Sequence, residues 1–294
     1  MKRIAVIGNP GSWSTEKLAD AFAAKTGFRC VVDMSRVHMN LETGALWFDG
    51  QDLSRFDALT VKKIGPAYSP DMQDRLSMLE LLNRNGTPVF SKPCAILTAL
   101  NRLSCTVKLR AGDMPMPPTV ITESPEQAEQ AVADFGRAVF KPLYTSKARG
   151  MEVIEAGAAC RERISRFQSR GNPVMYVQKM LTTPGKDLGI VFLGGEYLGT
   201  YARQSNGAWN TSTSSGGKYK PYAPSREIID LAWRAQDLFE LDFTCVDIME
   251  TEDGPMIFEV SAFGGFRGLL EACSLDASVH FADHVLRRCD HVSP

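Results

Sequence analysis

Apolar residues first appear as a short run, Ile4-Ala-Val-Ile7, and then recur at helical spacing, with Leu18 and Phe22 on one face. A short apolar run predicts a buried strand, and the wider spacing an amphipathic helix. The pattern predicts strands over residues 3–8, 28–33 and 58–64. It predicts helices over 14–25 and 72–85, the second between Pro70 and Gly86. Such alternation is the mark of an open α/β domain, which should end near Pro93. Residues 40–53 interrupt it as an extra hairpin or loop turning at Thr43-Gly44 and Asp49-Gly50.

A helix over residues 94–110 and a stiff connection over 112–118 come next. Ser124-Pro125-Glu126-Gln127 then combines an N-cap, a first-turn proline and a capping-box glutamine. Strands are expected at 138–142, 152–154 and 174–180, with a polar loop over 144–150 and a helix over 161–168. Beyond them lie a hairpin (188–192 with 197–202, around Gly194-Gly195), a polar stretch (205–218) and a helix over 225–239. The expected division is 1–93 (N-terminal α/β), 94–175 (linker helix and small unit) and 176–294 (large C-terminal unit).

The most informative feature is a late hairpin, Cys245-Val-Asp-Ile-Met and Met256-Ile-Phe-Glu-Val-Ser261, joined through Asp253-Gly254. A turn centred on Asp253 sets Asp247 directly opposite Glu259. Directly opposed residues lie ~5 Å apart at Cβ, and like charges there repel. Two carboxylates among Val, Ile, Met and Phe call for a shared proton or a divalent cation. Oxygen-only donors favour magnesium or manganese. A solvated hairpin, or a register slipped by one residue, is the bland alternative.

Composition narrows the classes. The 294 residues are 44% hydrophobic and carry a formal net charge of −1. No long run of one sign suggests a nucleic-acid arm, and no apolar stretch suggests a membrane span or secretory signal. Seven scattered cysteines without a Cys-x-x-Cys pair point to reduced thiols in a cytoplasmic protein. Gly8-Asn-Pro-Gly11 lacks dinucleotide spacing, and is read instead as lining an acceptor pocket. His280 and His284 share a helix face but lack the glutamate of a zinc-hydrolase motif.

From about residue 58 to 272 the order of motifs resembles the ATP-grasp superfamily, in particular RimK-like carboxylate–amine ligases. The resemblance is carried by Lys63-Ile-Gly65, Asn101-Arg-Leu103, Val139-Phe-Lys141, Val177-Gln-Lys-Met180 and Gly185-Lys-Asp187. Val246-Asp-Ile248 and Phe258-Glu-Val-Ser-Ala-Phe-Gly-Gly265 complete it. It implies a mixed α/β and α+β architecture: an N-terminal open α/β domain and two α+β domains clamping ATP. It also implies a ligase that activates a small-molecule or peptide carboxylate as an acyl phosphate, for attack by an amine.

The same resemblance implies the site residues. Arg102 and Lys141 would meet the phosphates, while Gln178, Lys179 and Met180 would border adenine. Asp187 would lie near the ribose or phosphates, with Thr211, Ser212 and Thr213 over the nucleotide. Arg203 would face the transferred phosphoryl group. Asp247, Glu259 and Ser261 would hold Mg²⁺ or Mn²⁺. Position and charge alone, after the glycine-rich turn, suggest that Arg267 holds an acceptor carboxylate or phosphate. The chain departs from the family pattern at Ser261, where asparagine is usual, at Arg102, where lysine is, and at Lys179, where glutamate is common. Its phosphate loop, Tyr144-Thr-Ser-Lys-Ala-Arg-Gly150, is poor in glycine and adds Lys147 and Arg149. A phosphotransferase (kinase) and a non-catalytic nucleotide-binding module are the alternatives. The carboxylate, the amine and the oligomeric state, a homo-oligomer included, stay open.

Overall fold

The computed structural model describes residues 1–182 and 184–291. Its first unit is β1 (Ile4–Ile7), α1 (Trp13–Thr26), β2 (Val31–Val32), β3 (His38–Asn40), β4 (Ala45–Phe48), β5 (Gln51–Asp52), β6 (Ala58–Val61), α2 (Asp71–Arg84) and β7 (Val89–Phe90). Strands β2-β1-β6-β7 form a parallel sheet in that order. The expected open α/β layout is present, although the strand expected over 28–33 shortens to two residues. The insertion is a three-stranded antiparallel ribbon, β3-β4-β5.

The helix expected over 94–110 is two, α3 (Pro93–Leu100) and α4 (Arg102–Ala111). Asn101 breaks it: its backbone is extended (φ −75°, ψ 108°), and its side chain accepts the Ser104 N–H at 2.9 Å. Asparagine competes well for this capping role, so the break was written at a residue quoted only as part of a motif.

The small unit is β8 (Thr119–Thr122), α5 (Pro125–Phe135), β9 (Arg137–Lys141), β10 (Glu152–Glu155), α6 (Cys160–Ser169) and β11 (Met175–Lys179). Its antiparallel sheet runs β10-β9-β11-β8. Ser124 caps α5 as expected. The capping-box glutamine works through a relay, because Thr122 Oγ1 accepts the Ser124 N–H at 3.0 Å and donates to Gln127 at 2.7 Å.

The large unit is β12 (Lys186–Leu193), β13 (Glu196–Gln204), β14 (Lys218–Pro221), α7 (Arg226–Asp237), β15 (Phe243–Thr251), β16 (Gly254–Ser261), α8 (Phe266–Cys273) and α9 (Ala277–His291). Its antiparallel sheet is ordered β14-β13-β12-β15-β16. Neither β8 nor β14 is marked by an apolar alternation strong enough to predict it.

The β15–β16 hairpin opposes Asp247 and Glu259, by a route the pattern did not show. Thr251 pairs with Gly254, so the turn is the two residues Glu252-Asp253 rather than a loop centred on Asp253. Register then slips by one, with Ile248 opposite Ile257 but Asp247 opposite Glu259. Phe258 is the unpaired extra residue of a β-bulge. Without it Glu259 would sit opposite Val246, whose side chain is fully buried in the core.

Three buried clusters organise the chain. One joins Ile7, Leu59, Ile96 and Leu109 to Ile190, Val246, Ile257 and Val260, so α3 and α4 pack with both the first sheet and the large one. A second brings α9 back to the first unit, packing Phe281 and Val285 with Ile4, Leu18 and Phe22. The third, from Ala128 to Val177, is confined to the small unit. At ~25 cal/mol per Å² of apolar burial, the two shared clusters couple the outer units strongly. The small unit has a separate core.

Candidate active site

A cavity of about 990 Å³ opens where the three units meet, and it is lined by every residue assigned above to nucleotide or metal, together with Arg203 and Arg267. Sheet pairing does much of the assembly. Asp187 pairs with Arg203 across β12–β13, and Gly189 faces Asp247 across β12–β15. Gly189 has to lack a side chain, because a Cβ there would lie 2.5 Å from the Tyr201 hydroxyl. The Tyr201 ring fills that space, and its hydroxyl lies 3.4 Å from Cys245 Sγ.

At the acidic end, Arg203 holds two carboxylates at once. It donates to Asp187 through Nε at 3.1 Å and lies 2.8 Å from Asp247. Burial pushes the Asp247 carboxyl up to about 6; Arg203 opposes this, and the nearby Asp187 and Glu259 add to it. Glu259 looks across to Arg102 at 3.9 Å. Among the described residues no group of three or more His, Cys, Asp or Glu side chains is arranged to hold a metal. Two opposed carboxylates nevertheless suit magnesium, which takes few protein ligands and completes its shell with phosphate oxygens and water. The fit is weaker at Ser261. Its hydroxyl accepts the N–H groups of Phe263 and Gly264 at 3.3 and 3.2 Å, and so caps the glycine-rich turn.

The basic end is built on strand ends of the small unit. Lys141 is buried and donates to Gln178 Oε1 at 2.6 Å. Gln178 in turn donates to Thr119 Oγ1 and Tyr176 Oη. Burial, with Arg102 repelling from nearby, pushes Lys141 down to about 7. A phosphate alongside would raise it again, so nucleotide binding should take up a proton above that pH. Affinity for a non-hydrolysable ATP analogue should therefore fall by up to ~tenfold per unit between about pH 7 and 8.5. Calorimetry in buffers of different ionisation enthalpy would measure this, and a flat profile would exclude it.

Arg102 is more structural than its motif implied. It donates to the carbonyls of Pro142 and Thr145 at 3.1 and 3.0 Å, tying down the root of the phosphate loop. That loop places two non-glycine residues, Lys147 and Ala148, at φ 58° and 57°. Its strain is held from the opposite unit, where the Ser212 and Ser214 hydroxyls donate to the Lys147 carbonyl at 3.2 and 3.0 Å. Arg149 turns onto Ser146 and is not among the lining residues.

An apolar wall of Val139, Met151, Met180, Leu181, Met249 and Phe258 faces these polar groups. The bulge therefore turns both Phe258 and Glu259 into the cavity. At the other end Arg267 is exposed, 3.6 Å from Glu271, with its guanidinium carbon 4.9 Å from the Trp13 ring centre. Ser12, Trp13 and Ser14 also line the cavity, whereas Gly8, Asn9, Pro10 and Gly11, expected to line an acceptor pocket, are not among its lining residues. Sequence reasoning missed Lys63, Tyr68, Tyr201 and Tyr219 as lining residues. For Lys63 a signal existed, a tandem Lys62-Lys63 at the end of an otherwise apolar strand. His284, by contrast, is accounted for by a 3.2 Å contact with Asp242.

A RimK-like ATP-grasp domain model matches residues 74–285. A tetrahydromethanopterin:alpha-L-glutamate ligase of Methanosarcina acetivorans is 25% identical over 320 residues, covering 97% of this chain and 99% of the relative. A ribosomal protein bS6–L-glutamate ligase of Escherichia fergusonii is 24% identical over 280 residues, covering 93% and 92%. Among solved structures, the ATP-grasp ligase PsnB complexed with minimal precursor, Mg and ADP superposes with a TM-score of 0.75. It is 21% identical, with 97% of each chain covered.

Proposed function

We propose, from the premise that this chain belongs to the RimK-like ATP-grasp family and is an ATP-dependent carboxylate–amine ligase, that the amine it adds is L-glutamate. The names of the two relatives above support that choice. In this reading ATP and Mg²⁺ (or Mn²⁺) are used. The small and large units close on the nucleotide, and residues 1–93 supply part of the acceptor end. The observation that carries the ligase reading is the bulge that brings Asp247 and Glu259 together inside a cavity lined by cations.

The substrate carboxylate attacks the γ-phosphorus, the β–γ P–O bond breaks, and ADP leaves. The amine nitrogen then attacks the acyl carbon, losing a proton as phosphate departs. Gln178, Lys179 and Met180 at the strand end would border adenine, with Leu181 and Phe258 supplying apolar surface beside them. Lys141 sets a compact positive charge beside the phosphates, and Arg102 holds the loop that covers them. Thr211, Ser212 and Thr213 close the loop's far side, and Arg267 guards the mouth. Asp187 and Asp247 orient Arg203 toward the transferred group, where it stabilises charge developing during transfer. Asp247 and Glu259, with Ser261 as a weak third donor, would hold Mg²⁺, which supplies charge neutralisation and in-line alignment of the phosphoryl group. No nucleophile from the chain is needed, since positioning and electrostatics supply the rate.

Cys30, Cys94, Cys105, Cys160, Cys245 and Cys273 form no disulfide, and among the described residues no helix is long and apolar enough to cross a membrane. Both features suit work in the cytoplasm. The decisive assay supplies ATP, Mg²⁺ and labelled L-glutamate with a panel of small and peptide carboxylates. Release of ADP and phosphate should require both partners and yield an amide. Phosphate retained on the acceptor would instead identify a kinase, and incorporation of other amines in preference to glutamate would remove the glutamate assignment.

A further inference from the structure

We propose that the Lys63 ammonium binds the carboxylate that the reaction activates, which makes the N-terminal unit part of the catalytic centre. The inference rests on the ligase reading and adds a residue to it.

The argument starts from Lys62. This side chain is fully buried at the end of β6, donates to the Phe263 carbonyl at 2.9 Å, and lies 3.8 Å from the Phe266 ring centre. It pins the end of β6 to the glycine-rich turn that follows β16. The next residue, Lys63, faces the cavity over the Phe263 ring, 5.4 Å from its centre. The Phe263 N–H is bonded to Ser261 Oγ. Lys63 therefore stands beside the strand that carries the acidic pair.

The other cations in the cavity are already engaged or lie at its edge. Arg203 holds Asp187 and Asp247, and Arg102 holds two carbonyls and faces Glu259. Lys141 is bonded to Gln178, and Arg267 is paired with Glu271. Lys147, Lys179 and Lys218 are exposed. Among the described residues, Lys63 is the largely buried cation of this cavity for which the protein provides no acceptor. Burial, with Lys147 nearby, pushes it down to about 8, so near neutral pH it still carries its charge.

A carboxylate approaching the γ-phosphoryl group brings two anions together, and a cation between them offsets the repulsion. Lys63 is placed for that, and its charge-assisted bond would orient the attacking oxygen. An aliphatic chain at this position would pack equally well and bind no anion.

The test titrates sodium acetate, as the probe carboxylate, into protein saturated with AMP-PNP and Mg²⁺, with binding measured by calorimetry. Lys63→Met should weaken acetate binding at least ~tenfold, and Lys63→Arg should restore most of it. Lys218→Met, removing an exposed lining lysine, should change acetate binding less than ~twofold, and Lys63→Met should shift AMP-PNP affinity less than ~threefold. The proposal is overturned if the wild-type protein binds no acetate, if Lys63→Met binds it equally well, or if AMP-PNP affinity falls by the same factor. Loss of acetate binding without any amide product in the ligase assay would leave the anion site standing and remove only the ligase reading.

Discussion

Replacing Glu259 by glutamine should lower ligase turnover by about 10³-fold or more, ~4 kcal/mol in the barrier, with unfolding behaviour unchanged. The two halves of this expectation have different causes. Glu259 is 44% exposed and its partner Arg102 is 3.9 Å away, so the fold loses little. The amide keeps the side chain's shape but not the charge that, opposite Asp247, makes the pair able to hold a divalent cation. Magnesium affinity of the nucleotide-loaded protein should drop in parallel, measured by titrating turnover and AMP-PNP binding against Mg²⁺. Normal turnover in the variant would remove Glu259 from the metal site, and with it the reading of the hairpin.

The second large effect is on stability. Arg203→Met leaves Asp187 and Asp247 facing each other without their shared cation, and should cost about 3 kcal/mol, the low end for breaking a buried ion pair. The low end applies because both carboxylates border an open cavity. Mg²⁺ should return part of the loss by taking the cation's place, so urea midpoints of the variant should rise with added MgCl₂ more than those of wild type. Activity should fall as well, because the guanidinium aimed at the transferred group is gone. An unaltered midpoint, or one indifferent to Mg²⁺, would show that the carboxylates do not depend on Arg203.

Much of this was legible in the chain because the underlying physics is local. Strand β1 shows as an apolar run and α1 as a helical stripe. Ser124-Pro125 announces the start of α5, and Gly194-Gly195 the turn of a hairpin. The site was legible more through the order of its motifs than through any one residue. Lys141, Gln178, Asp187, Arg203 and Asp247 stand at strand positions that the pattern could locate and that the structure gathers around one cavity. The pattern did less well where two readings were locally equivalent. Residues 94–110 have helical spacing throughout, and only the competition between helix continuation and the Asn101 cap decides for a break.

The chain by itself determined which residues carry charge, which faces are apolar and where helices begin, since each depends on neighbours within a few positions. Tertiary structure decided the rest. It shortened the Asp253 turn to two residues and restored the Asp247–Glu259 opposition through a bulge at Phe258, because Ile257 and Val260 must reach a core built by distant helices. It also tied Lys62 to a carbonyl 201 residues away, and so carried Lys63 into the cavity. No period or cap encodes such contacts. They arise when separately formed surfaces are packed together and each buried polar group takes a partner the assembled fold provides.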